Sequence, residues 1–176
     1  MKIVWITGGS SGIGFATAKK FLKNDWKVII SSSNNIKLLN AKKNLLDKKY
    51  EKNIFTYCCD ISNNGQVKET IAKIKNEVGN IDIAILNAAA YSPNKTQEFN
   101  IKNYEHLIDV NLKGTLYCIE SLLEQMLENN VYIAIVSSPV GYRGLPTAGA
   151  YGLTKAGLIN LAESLYFDLK KNNIKI

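Results

Sequence analysis

Lys2-Ile3-Val4-Trp5-Ile6-Thr7-Gly8-Gly9-Ser10-Ser11-Gly12-Ile13-Gly14 decides the fold. Lys2 to Ile6 is a short apolar run with the length of a buried strand, and it breaks into glycines and hydroxyls before the helical pattern of Phe15 to Lys23. Strand, glycine turn and helix follow one another directly. Glycine admits backbone conformations closed to other residues and leaves room for a ligand against the main chain. The first-turn amides of the helix that follows then face a phosphate. The spacing is G-x-x-x-G-x-G, which differs from the G-x-G-x-x-G dinucleotide fingerprint.

Outward from that stretch the alternation repeats. Strand-like runs fall at Lys2 to Ile6, Lys27 to Ser32, Asn53 to Cys58, Ile81 to Leu86 and Val131 to Ser137, with a further start at Ile174. Between them, helical periodicity covers Ile13 to Asn24, Asn35 to Lys48, Asn64 to Val78, Ile101 to Glu128 and Gly149 to Asn172. Repeated strand-helix units specify an α/β fold, a doubly wound parallel sheet with helices on both faces. Right-handed crossovers make it Rossmann-like, with its ligand site beyond the carboxyl ends of the strands. Gly8 to Gly14, Asp60, Asn87 to Ala89, and Ser137 with Ser138 all fall at that edge. For Asp60 and Ser62, capping of the following helix is the competing reading.

Near the other end, twelve residues separate Ser138 from Tyr151, and Lys155 follows Tyr151 at i+4 inside a helix. Positions i and i+4 share a helix face. A free tyrosine titrates at about 10, and an adjacent ammonium is expected to lower that value enough for acid-base work.

These residues resemble the short-chain dehydrogenase/reductase family. Its T-G-x-x-x-G-x-G is matched by Thr7 to Gly14 and its Y-x-x-x-K by Tyr151 to Lys155. Asn87-Ala88-Ala89 stands where the family has N-A-G, Val110-Asn111-Leu112 matches V-N-x, and Ser138 stands at the family serine's distance before the tyrosine. Leu86 and Ala89 depart from the family's asparagine and glycine. The resemblance implies a nicotinamide-dependent oxidoreductase acting on a carbonyl or secondary alcohol, with Asn111, Ser138, Tyr151 and Lys155 as catalytic residues. It implies cofactor contacts from Gly8, Ser10, Ser11, Gly12, Ile13, Gly14, Ser32, Ser33, Asp60, Ile61, Asn87, Ala88, Ala89, Tyr151 and Lys155. No carboxylate stands at Ser31-Ser32-Ser33-Asn34 to bind ribose hydroxyls and repel a 2′-phosphate. With Lys37 nearby, NADP is the expected cofactor and NAD the alternative.

The chain stops at Ile176, before the family's last strands. One NAD(P)-binding domain over residues 1–176, incomplete at its C-terminus, is therefore expected, as a fragment or a naturally short protein. A nucleotide-binding but inactive truncated protein is the alternative function. The helices Ile101 to Glu128 and Gly149 to Asn172 resemble those through which family members pair, so a homodimer or homotetramer is expected.

Composition narrows the classes further. The net charge is +7, from 22 basic and 15 acidic residues, with 46% hydrophobic and 21% charged residues. The basic residues are interspersed with acids and asparagines, so no nucleic-acid partner is expected. No apolar run approaches the roughly 18 residues of a membrane helix, and the N-terminus lacks a signal peptide's apolar length. A cytoplasmic protein without a membrane partner is the expectation. Cys58, Cys59, Cys118 and His106 form no ligand spacing. They read as packing or surface, with no metal site.

Overall fold

β1 (Ile3–Thr7) lies at the centre of a five-stranded parallel sheet and is buried along its whole length. The computed structural model describes residues 1–45, 50–129, 131–172 and 174–176. Within them the order continues α1 (Gly12–Leu22), β2 (Lys27–Ser32), α2 (Asn35–Leu45), β3 (Ile54–Cys58), α3 (Asn64–Glu77) and β4 (Ile83–Leu86). Then come α4 (Ile101–Leu107), a π-helical segment (Ile108–Lys113), α5 (Gly114–Asn129), β5 (Tyr132–Ile135) and α6 (Gly149–Leu169). The strand order is β3-β2-β1-β4-β5, the Rossmann-like arrangement. The chain reverses its direction of growth between β1 and β4, and the site opens there.

Alternation along the pleat builds two cores from the same strands. Trp5 and Ile29 face Val67, Ile71 and Ile74 of α3 and Cys118, Leu122 and Met126 of α5. Val4, Ile6, Val28 and Ile30 face Ala18 and Leu22 of α1 and Leu38, Ala41 and Leu45 of α2. Both sheet faces are covered, which is why the strands read as continuous apolar runs. The indole of Trp5 donates to Ser31 Oγ at 3.1 Å, so this large ring is buried with its polar atom paired.

Several boundaries differ from those the periodicity predicts. The helix expected over Ile101 to Glu128 is divided by the π segment, whose apolar spacing is compatible with either winding. Its sixth-strand start is a short approach: Ile174 is buried, and Ile133 N donates to Lys175 O at 2.9 Å without a strand forming. Asn173, and the expected end of α2 at Lys48, lie outside the described residues. β4 begins two residues late. Ile81 is buried, and its N–H donates to Gln125 Oε1 of α5 at 3.1 Å in place of a ladder partner.

Among the described residues no helix is long and apolar enough to cross a membrane. Leu116, Leu123 and Leu127 of α5 and Leu153, Tyr166 and Phe167 of α6 are exposed. α6 is apolar around much of its circumference, the signature of a helix covered on more than one face.

Gln125→Leu removes the acceptor from the buried Ile81 amide while keeping an apolar side chain. Urea unfolding followed by tryptophan fluorescence is expected to show a loss of about 1–3 kcal/mol. Unchanged stability would mean that the amide finds another partner.

Candidate active site

The glycine turn is shaped by what it touches. Gly8 and Gly12 have φ of +65° and +53°, a region that side chains disfavour. A Cβ on Gly8 would lie 2.8 Å from Ala88 Cα, and one on Gly14 would lie 2.5 Å from Gly8 O. Gly12 instead faces open space. The turn is thus pressed against the segment after β4, and polar ties hold it there. Thr7 Oγ1 accepts from Asn87 N and Ala88 N, both at 3.0 Å. Asn87 Nδ2 donates to Thr7 O at 3.0 Å and Gly8 O at 3.3 Å. Ser11, the N-cap of α1, makes no side-chain cap bond, so it does not occupy the helix's first amides.

Beside this turn lies a cleft of about 530 Å³. Of the sequence-predicted cofactor residues, Gly8, Ser10, Ser11, Ser32, Ser33, Asp60, Ile61, Asn87, Ala88 and Ala89 line it. Gly12, Ile13 and Gly14 shape the turn outside the lining, with Ile13 exposed, and Tyr151 and Lys155 also stand outside the lining. Ser10 Oγ donates to Ser32 Oγ at 3.1 Å. Asn34 Oδ1 accepts from Lys37 N at 2.9 Å at the start of α2, and both residues line the cleft. Asp60 Oδ1 accepts from Ser62 Oγ and Ser62 N at 2.7 and 3.0 Å. The cap of α3 is neither of these but Asn63, whose Oδ1 accepts from Gln66 N at 3.1 Å. His106 also lines the cleft. It is exposed there, in keeping with the surface role expected from sequence, and its position one turn before Val110, on the same helix face, is the signal that places it at the cleft.

The cleft has the volume and hydroxyl-rich lining to accept a dinucleotide phosphate chain, and Gly12 at the start of α1 leaves open space where a side chain would stand. The residues present therefore fit a nicotinamide cofactor.

At the carboxyl end of β5 the catalytic candidates meet. Ser138 opens a short 3-10 turn, Pro139–Gly141, that lies against α6: a Cβ on Gly141 would stand 2.8 Å from the carbonyl carbon of Lys155. The Ser138 hydroxyl stands near enough to the Tyr151 hydroxyl to favour its ionised form. Lys155 is only 2% exposed, its Nζ donates to Val136 O at 2.7 Å, and the ammonium stands 5.4 Å from the Tyr151 ring centroid. Burial lowers its pKa to about 8. The Tyr151 hydroxyl is raised, by burial first, against a lowering by the Ser138 hydroxyl, and with Tyr91 adding to the rise. The expected depression of the tyrosine is thus absent in the protein alone. Burial outweighs the Ser138 hydroxyl, and the lysine ammonium is engaged by a backbone carbonyl.

Asn111 sits in the π segment, 1% exposed, and π-bulges recur at functional sites. Its Oδ1 accepts from Ala90 N at 2.7 Å, while Nδ2 donates to Ala90 O and Thr154 Oγ1, both at 3.0 Å. Both amide hydrogens are engaged, so Asn111 braces the β4 tail against α6. Among the described residues no group of three or more His, Cys, Asp and Glu could hold a metal ion.

The sequence model described as short chain dehydrogenase matches residues 2–176. An uncharacterized oxidoreductase of Staphylococcus aureus is 31% identical over 176 residues, covering 99% of this chain and 74% of its own. Among solved structures, ElxO with NADP bound is 33% identical with a TM-score of 0.92, over 99% of this chain and 71% of that one. NAD+-bound xylitol dehydrogenase is 26% identical with a TM-score of 0.91, over 99% and 67%.

Lys155→Met is expected to raise the melting temperature at neutral pH, because it removes a buried ammonium. The folded pKa of about 8 lies below the unfolded value of about 10.4. Below pH 8 both states carry the proton and the folded protein bears the full burial cost. Between those values only the unfolded state is charged, so wild-type stability climbs with pH. The advantage of the methionine variant should accordingly shrink across that window in thermal melts, and a pH-independent difference would contradict it.

Proposed function

The chain belongs to the short-chain dehydrogenase family, and from that membership we propose a nicotinamide-dependent oxidoreductase that interconverts a carbonyl compound and a secondary alcohol. The observation that carries the reading is the Lys155 ammonium over the Tyr151 ring, with Ser138 near the tyrosine hydroxyl, joined through Thr154 and Asn111 to Ala90 in the lining of the cleft. Ser138 and Tyr151 are two donors directed at one reacting oxygen, an arrangement that stabilises developing negative charge. The raised Tyr151 keeps its proton at neutral pH, the form that donates to a carbonyl oxygen. In the reverse direction Tyr151 takes the alcohol proton. Lys155 has three N–H donors, of which Val136 O takes one. The others are suited to ribose hydroxyls, and the positive charge steadies a transient phenolate.

The nicotinamide nucleotide, when bound, supplies or accepts the hydride. Gly8, Ser10, Ser11, Gly12, Ile13 and Gly14 would hold its pyrophosphate, Asp60 and Ile61 the adenine, and Asn87, Ala88 and Ala89 the wall of the nicotinamide side. Asn111 holds that wall in place. Ser32 and Ser33 would meet the adenosine ribose. With no carboxylate at the end of β2, the Ser10–Ser32 hydroxyl pair, the first amides of α2 and Lys37 favour the additional phosphate of NADP. The positive charge of the chain assists any such anion.

Tyr151→Phe is expected to lower kcat by about 10²- to 10⁴-fold and to leave NADPH affinity unchanged, measured by absorbance turnover and fluorescence titration. Wild-type turnover in the variant would refute the mechanism. In the same assays NADPH should exceed NADH in kcat/KM, and Lys37→Ala should narrow that ratio. A preference for NADH in the wild type would overturn the NADP assignment.

We place the expected self-association on the exposed apolar residues of α5 and α6. Light scattering is expected to give a dimer or tetramer, reduced to monomer by Leu123→Glu with Leu127→Glu. A monomeric wild type would remove this assignment.

A further inference from the structure

Tyr91 stands beside the reacting group without being part of any motif that located it. It follows Ala90, whose amide and carbonyl are both gripped by the Asn111 side chain. Three residues on, Asn94 N donates to Thr147 O at 2.9 Å, and Asn103 Nδ2 donates to Ser92 O at 3.4 Å. Thr147 holds a φ of +63°, a strained conformation for a β-branched residue, just before the helix that carries Tyr151. The chain on both sides of Tyr91 is therefore tied down, on one side to the π segment and on the other to the entrance of α6. Such a tether fixes where its ring lies.

That ring meets Tyr151 edge to face, with centroids 5.0 Å apart and planes at 76°. Aromatic pairs favour this geometry because the positive edge of one ring meets the negative face of the other. Tyr91 is nevertheless 60% exposed. An aromatic ring left so open, yet held by backbone ties at both ends, is explained poorly by core packing. It is explained well as a wall of the site: one side sets the tilt of the Tyr151 phenol, and the rest faces whatever approaches that hydroxyl. Ser138 approaches the same hydroxyl from β5, and Lys155 lies over the same ring from α6.

We propose that Tyr91 is a positioning residue that orients the Tyr151 phenol, and that its exposed face receives an apolar or aromatic group adjoining the substrate carbonyl. Tyr91 also contributes to the upward shift of Tyr151, in keeping with that proximity. The kinetic part of the inference rests on the oxidoreductase reading, whereas the orientation of Tyr151 is measurable without turnover.

The test compares Tyr91→Phe, which keeps the ring, with Tyr91→Leu, which removes it. Protein labelled with ¹³C at tyrosine Cζ is observed by NMR, with Tyr151→Phe assigning the Tyr151 resonance. The leucine variant is expected to shift that resonance, through loss of the ring current, and the phenylalanine variant to preserve it. In steady state, Tyr91→Leu should lower kcat about fivefold to tenfold with NADPH affinity unchanged, and Tyr91→Phe should restore it. Its KM should rise more for aryl ketones than for small aliphatic ones. A Tyr151 resonance unmoved by Tyr91→Leu overturns the positioning role, and a KM that rises equally for both ketone classes overturns the substrate wall. If the wild type shows no turnover, the oxidoreductase reading fails separately and the resonance alone decides the contact.

Discussion

Two backbone segments must meet at the carboxyl edge of the sheet, and the polar ties between them carry the rest of the site. The Thr7 hydroxyl accepts two consecutive amides after β4, and the Asn87 carboxamide donates back to two carbonyls of the glycine turn. From that junction the bonding continues through Ala90 to Asn111, from Asn111 to Thr154, and from Thr154 Oγ1 to Tyr151 O at 2.8 Å. Each bond contributes only about 1 kcal/mol net, while an orphaned buried partner costs about 1–3 kcal/mol. The Asn111–Thr154 bond is the buried member of the series, and its loss would leave a buried group unpaired. The series joins the glycine turn to α6, the helix that carries Tyr151 and Lys155.

The same edge shows stability set against chemistry. Lys155 is buried against a single backbone carbonyl partner just after β5, in a position that disfavours its charge. A hydrocarbon side chain would pack there at lower cost. The ammonium is retained where it lies over the Tyr151 ring. This is the expected trade at a site whose electrostatics are arranged before substrate arrives.

Much of this was legible in the sequence because it rests on period and spacing. Alternating apolar runs specified the parallel sheet, and Thr7 to Gly14 specified the turn at its edge. The i, i+4 relation placed Tyr151 and Lys155 together. What escaped depends on partners that one-dimensional spacing does not identify. The π segment around Asn111 is hidden because its apolar pattern continues that of α4 and α5. Asp60, Ser62 and Asn63 are all capping residue types, and only the backbone path selects Asn63. His106 and Tyr91 carry no motif of their own, and they reach the site because Val110 and Ala90 beside them are positioned there. The tyrosine's upward shift was missed for the same reason. Spacing reports that a lysine is near, but not that Val136 O engages it or how deeply the pair is buried.

The proposed function requires the cleft at the glycine turn and the Ser138–Tyr151–Lys155 cluster to form one nicotinamide site. Titrating the protein with NADPH while following nicotinamide fluorescence tests it most directly. Saturable binding of one nucleotide per chain is expected, weakened when Gly12 is replaced by a bulky residue that occupies the open space there. Absence of saturable binding to both NADPH and NADH by the folded protein would contradict it.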